Sequence, residues 1–79
     1  MTKAQQHKLA IDRVKNRIKN MQNVQDLEAL ECYDFAICTQ IGLLLQLEII
    51  TRDESLDLEE EEIDAYTATK EKVKSKFCA

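Results

Sequence analysis

The sequence predicts an all-α domain, and three observations carry that prediction. The chain has one glycine and no proline in 79 residues, so the punctuation that hairpins and tight β-turns require is nearly missing. Its apolar residues recur at spacings of three and four, the period of one helix face. Two Thr-x-x-Gln/Glu signatures, at Thr2 and Thr51, mark places where a helix can start. With 44% hydrophobic residues in clusters, the composition argues against disorder. The length supports a single domain over 1–79, and a chain this short buries only about 60% of its unfolded surface.

The first helix is expected over about 3–21. Thr2 can cap it, with Gln5 as the reciprocal partner. Ile11, Val14, Ile18 and Met21 follow at spacings of 3, 4 and 3, a narrow seam of about two heptads that Ala4 and His7 continue upstream. The second helix is expected over about 24–50, capped by Asn23 with Asp26 in its first turn. Its apolar set runs Leu27, Leu30, Tyr33, Ala36, Ile37, Ile41, Leu44, Leu45 and Leu47, and covers an arc of about 200°. An arc so wide belongs to a central helix gripped by more than one neighbour. The third helix is expected over about 52–77. Thr51 caps it and Glu54 reaches back, with a kink or restart around Ser55 to Leu58 and a stripe of Leu56, Ile63, Tyr66, Val73 and Phe77.

Charge falls into blocks. Residues 1–20 carry +5, residues 21–50 carry −5, residues 51–69 carry −7 and residues 70–79 carry +3. A basic first segment and an acidic second one favour packing side by side in antiparallel order. The expected architecture is therefore an antiparallel three-helix bundle, or an extended helical hairpin plus a third helix, completed by dimerisation. Leu30, Ile37, Ile41, Leu44, Ile63 and Tyr66 are expected to form the core.

Most chemistry is not signalled. No run reaches about 18 apolar residues, so no membrane span is expected. No apolar leader follows Met1, and the expected location is the cytoplasm. Cys32, Cys38 and Cys78 do not read as a disulfide framework. Cys32 and Cys38 point to different helix faces, and Cys78 alone has lysines close by in sequence. Three scattered cysteines and the single His7 give no C-x-x-C and no H-x-x-x-H, so neither metal nor cofactor is expected. No nucleophile–base pair is visible, and no enzyme activity is expected. The basics of the first helix split onto both flanks of its apolar stripe. The rest of the chain is acidic, which argues against direct nucleic-acid binding. A nucleic-acid-associated regulator using that helix is a further alternative.

Two acidic pairs stand out: Glu28 with Glu31, an E-x-x-E, and Glu61 with Asp64, an E-x-x-D. The pattern resembles the metal motifs of all-α nucleotide pyrophosphohydrolases of the MazG type. That resemblance implies Mg²⁺ held by these four carboxylates for substrate phosphates, and gives the alternative enzymatic reading. The stretch Leu27 to Leu47, with Gly42 ahead of Leu43 and Leu44, is similar to the second helix of the small hairpin co-chaperones of type III secretion needles. The acidic, helix-"IIT-x-x-E"-helix layout also resembles small accessory proteins of phages and mobile elements.

The favoured reading is a non-catalytic protein–protein interaction protein: an adaptor, inhibitor or co-chaperone. Three helices of this length present more apolar stripe than their mutual contacts hide. Phe35, Leu43, Ile49 and Leu58 are left over. The expected contact surface is Phe35, Gly42, Leu43 and Ile49, with Glu59, Glu60, Glu61 and Glu62 as an acidic accessory patch. Gly42 is expected either to admit a close helix or to be simply tolerated. The partner is another protein or a second copy of the chain.

Overall fold

The computed structural model describes residues 2–77, with side chains described to residue 75. Among the described residues the chain forms α1 (Lys3–Met21), α2 (Leu27–Gln46) and α3 (Arg52–Phe77), and no strand.

α1 starts and ends where the sequence places it. The Gln5 N–H donates to Thr2 Oγ1 at 3.1 Å, and the Thr2 N–H donates to Gln5 Oε1 at 2.9 Å. Two of the helix's orphan donors are thereby satisfied. Val14, Ile18 and Met21 are buried and Ile11 packs against them.

α2 is shorter at both ends than the expected 24–50. Asp26, not Asn23, is its N-cap, and Asp26 Oδ1 accepts from the Ala29 N–H at 2.7 Å. Asn23 closes the end of α1 instead, its N–H donating to Asn20 O at 3.1 Å, while Val24 turns inward against the core. At the other end the helix stops at Gln46. Glu48 takes a left-handed backbone, with φ of 59°. The Glu48 N–H donates to Leu45 O at 3.0 Å and the Ile49 N–H to Leu44 O at 2.9 Å. This is a Schellman motif, which satisfies carbonyls the helix end would leave orphaned. It folds Ile49 and Ile50 back onto the core, so neither continues the helix.

α3 runs unbroken from Arg52, without the expected kink near Ser55. The Thr51–Glu54 capping box is formed. The Thr51 N–H donates to Glu54 Oε1 at 2.8 Å, and the Glu54 N–H donates to Thr51 Oγ1 at 3.2 Å. The buried face differs from the expected stripe. Ser55, Leu58, Glu62, Ala65, Thr69 and Val73 point inward, at spacings of 3, 4, 3, 4 and 4. Leu56 and Ile63 are 53% and 58% exposed. Thr69 manages burial by donating its hydroxyl to Ala65 O at 2.7 Å.

The core joins all three helices: Val14, Ile18 and Met21 from α1, Leu30, Ile37 and Ile41 from α2, Leu58 and Ala65 from α3, and Ile50 from the last connection. Leu44 and Tyr66 pack against it half-buried. Two assignments reverse. Ile63, expected in the core, lies outside it, and Leu58, expected to be left over, is buried. The body is a flat rod, 50 × 20 × 15 Å, with a radius of gyration of 13.8 Å. A compact chain of this length has a radius of about 11.6 Å. No helix of the described residues is long and apolar enough to cross a membrane.

Candidate interaction surface and carboxyl–thiol cluster

On α2 the core-facing line is Leu30, Ile37 and Ile41, and the flank toward α3 is set by two contacts. The Tyr66 hydroxyl donates to Glu31 Oε1, and the Cys38 thiol lies 3.9 Å from Glu62 Oε2. Extending that flank at spacings of 4, 3, 4 and 3 gives Glu31, Phe35, Cys38, Gly42 and Leu45, a line with the spacing of a coiled-coil seam. Phe35 is 74% exposed. Gly42 has open space where a Cβ would stand, with nothing within 4 Å. No element of the chain uses it for close approach.

On α3 the corresponding flank carries Leu56, Ile63 and Lys70 at steps of seven, beside Tyr66 and outside Glu62. The Lys70 ammonium sits 5.5 Å from the centre of the Tyr66 ring. The outer side of the α2–α3 pair thus exposes Phe35, Gly42 and Leu45 from one helix and Leu56 and Ile63 from the other. Leu43, one position past Gly42, turns 100° away from this line and is 52% exposed.

The expected contact residues separate into three groups. Phe35, Gly42 and Leu43 are exposed on α2. Ile49 is a correction: it is half-buried against the core and lines a groove with Leu9, Ala10 and Leu44. Of the acidic run, Glu59, Glu60 and Glu61 are exposed, but Glu62 is 2% exposed. A continuous solvated patch does not form, because successive helix positions turn by 100° and Glu62 falls on the inner face.

Glu62 belongs to a cluster with Asp34 and Cys38. These two lie one turn apart on α2, and the Cys38 thiol is 3.8 Å from Asp34 Oδ1. Desolvation, followed by the nearby Asp34 carboxylate, pushes the Glu62 carboxyl up to about 8. Desolvation and then Glu62 and Asp34 push the Cys38 thiol up to about 11. Both groups are therefore protonated at neutral pH, and Cys38 is not an activated nucleophile. Sequence spacing could not reveal this cluster, since Glu62 arrives from 24 residues beyond Cys38. An i, i+4 carboxyl–thiol pair on a helix was the one available signal.

The E-x-x-E and E-x-x-D motifs face different neighbours. Glu31 holds Tyr66, whereas Glu61 and Asp64 line a groove with Lys15, Ile18 and Lys19 of α1. Among the described residues, the acid-containing group gathered tightly enough to hold an ion is Asp34, Cys38 and Glu62, not these four. The same groove places α1 lysines beside α3 acids, whereas the charge blocks predict α1 against the acidic second segment. His7 Nε2 donates to Glu54 Oε2 at 2.5 Å. Together with the Thr51 N–H, which contributes most, it holds the Glu54 carboxyl below the usual range. Cys32 and Cys38 are free and exposed, and Cys78 lies outside the described residues. Phe77 is at the end of α3, its side chain outside the described set.

The chain matches no protein-family model, no curated protein and no solved structure to which it was compared.

Proposed function

We propose that the protein is a non-catalytic interaction module that pairs through the outer face of α2–α3, and that its first partner is a second copy of itself. The observation that carries this reading is Phe35, an aromatic ring 74% exposed on a line with coiled-coil spacing. Isolated exposed apolar residues need no explanation, but a contiguous set with Gly42, Leu45, Leu56 and Ile63 does.

Area supports a second copy as occupant. The chain exposes 5743 Å², against about 4,900 Å² for a compact monomer of its mass. The excess of roughly 800 Å² is the area each partner contributes to an ordinary stable interface. Gly42 supports close approach, since an opposing helix meets no side chain there. An antiparallel course of α2 and α3 is supported by the pairs Cys38–Glu62 and Glu31–Tyr66, and a shared direction of α1 and α3 by His7–Glu54 together with the groove between Lys15, Ile18 and Lys19 and Glu61, Asp64 and Ala65. Adaptor, inhibitor and co-chaperone are roles that such a face can serve, and cytoplasmic action fits the free thiols.

The test is the mass in solution by light scattering and sedimentation across a concentration series. A dimer is expected for the unaltered chain, and a folded monomer for Phe35→Asp and for Ile63→Asp. A monomer at the highest attainable concentration sinks the reading. So does a dimer that both substitutions leave intact.

A further inference from the structure

The contact between α2 and α3 contains a ligand set, one member of which, Cys38, also lies on the line proposed for self-association. One carboxylate oxygen each of Asp34 and Glu62 and the Cys38 sulfur all lie within 4.8 Å of one another. The sulfur is 3.8 Å from Asp34 Oδ1 and 3.9 Å from Glu62 Oε2. A tetrahedral cation with bonds of about 2.3 Å to sulfur and about 2.0 Å to oxygen holds two such atoms about 3.5 Å apart. For the two sulfur–oxygen pairs, movements of a few tenths of an ångström close that gap.

A second observation is independent of these spacings. Glu62 is 2% exposed, and its other oxygen, Oε1, is buried without a hydrogen-bond partner. A buried carboxyl oxygen left unpaired is unfavourable, and folded chains rarely retain one without a use. The cluster is also accessible: Cys38 is exposed and Asp34 is half-buried. A cation can reach it, releasing the Cys38 and Glu62 protons to solvent as it binds, and water can take a further coordination position.

We propose that Asp34, Cys38 and Glu62 form a three-ligand binding site for a thiolate-accepting divalent cation of the Zn²⁺ class, with solvent completing the tetrahedron. Sulfur in the set selects against Mg²⁺ and Ca²⁺, which take oxygen ligands. The site lies within one chain and needs no second copy; because Cys38 also lies on the proposed pairing line, binding is measured on the Ile63→Asp variant as well as on the unaltered chain.

The experiment titrates the chelator-treated full-length chain with Zn²⁺ by calorimetry, and with Co²⁺ by absorption spectroscopy. One cation per chain is expected, with a thiolate-to-cobalt charge-transfer band. The band should persist in the Cys32→Ser/Cys78→Ser double variant and vanish in Cys38→Ser. Glu62→Gln, which keeps the side-chain volume, should weaken Zn²⁺ by more than the roughly tenfold that loss of an outer-shell partner costs. Excess Mg²⁺ should not compete. In the unaltered chain, Zn²⁺ should slow alkylation of Cys38 but not of Cys32, a readout that needs no variant. Absence of saturable Zn²⁺ and Co²⁺ binding overturns the proposal. Binding undiminished by both Cys38→Ser and Glu62→Gln also overturns it, because the cation then sits on surface carboxylates.

Discussion

Glu62 of α3 places its Oε2 3.9 Å from the Cys38 sulfur of α2, although the carboxyl is buried and its surroundings are acidic. Three groups face it: Asp34 and Cys38 from α2, and Glu59 from its own helix. Helix spacing alone makes Glu62 part of a solvated run. Packing makes it the polar centre of the α2–α3 contact.

That burial sets a pH dependence. The Glu62 carboxyl titrates near 8 in the folded chain, against an ordinary value of 4.5. Between those values the folded state keeps a proton that the unfolded state has released. Stability is therefore present at low pH and lost as pH rises through the folded value. Urea unfolding in the presence of chelator should show a lower midpoint at pH 8 than at pH 5. Glu62→Gln should flatten this slope and be the more stable protein at pH 8. Equal midpoints for the unaltered chain at both pH values would show that Glu62 is not held protonated.

Glu48 offers a stabilising change. Its φ of 59° suits glycine, and a side chain in the left-handed region costs about 1–2 kcal/mol. Part of any gain is offset by the greater freedom of glycine in the unfolded chain. Glu48→Gly should raise Tm by several degrees, in line with about 4–8 °C per kcal/mol for a domain of this size. Glu48→Ala should not. A thermal melt of both variants decides it.

The buried face of α3 can be checked by two truncations. Leu58 is 3% exposed, and Leu58→Ala should cost about 2–5 kcal/mol. Ile63 is 58% exposed, and Ile63→Ala should change the stability of the monomer by no more than about 0.5 kcal/mol. Denaturant titration at low protein concentration separates them. A larger loss for Ile63 would invert the face assignment.

The start of α3 rests on its cap. Thr51→Ala removes the acceptor for the Glu54 N–H and should cost about 1 kcal/mol. Thr51→Ser keeps that acceptor and should stay close to the unaltered chain. Urea midpoints of the two variants make the comparison.

What could be read from the sequence follows from where side-chain chemistry agrees with position. The bounds, cap and main seam of α1 were legible, because its cap is a polar signature and its buried residues are apolar at helical spacing; the upstream continuation of the seam was not, since Ala4 is exposed. The capping box at Thr51 was legible for the same reason. The end of α2 was not, since a glutamate occupies the left-handed position where glycine is the usual mark. The inner face of α3 was not legible either. Its buried positions include Ser55, Glu62, Ala65 and Thr69, while Leu56 and Ile63 stand outside. A rule that sends large apolar residues inward picks the wrong side of that helix. The same exception left an apolar flank open beside Phe35, which the sequence did mark as surplus.

The contact between His7 and Glu54 spans 47 positions of the chain. Glu54 is also the residue that closes the first turn of α3, and His7 stands in the second turn of α1. This contact ties the second turn of α1 to the cap of α3 through one partly exposed pair. Removing it with His7→Ala should speed exchange of the amide protons near Ser55 by up to about fivefold, the effect of the roughly 1 kcal/mol an exposed pair contributes.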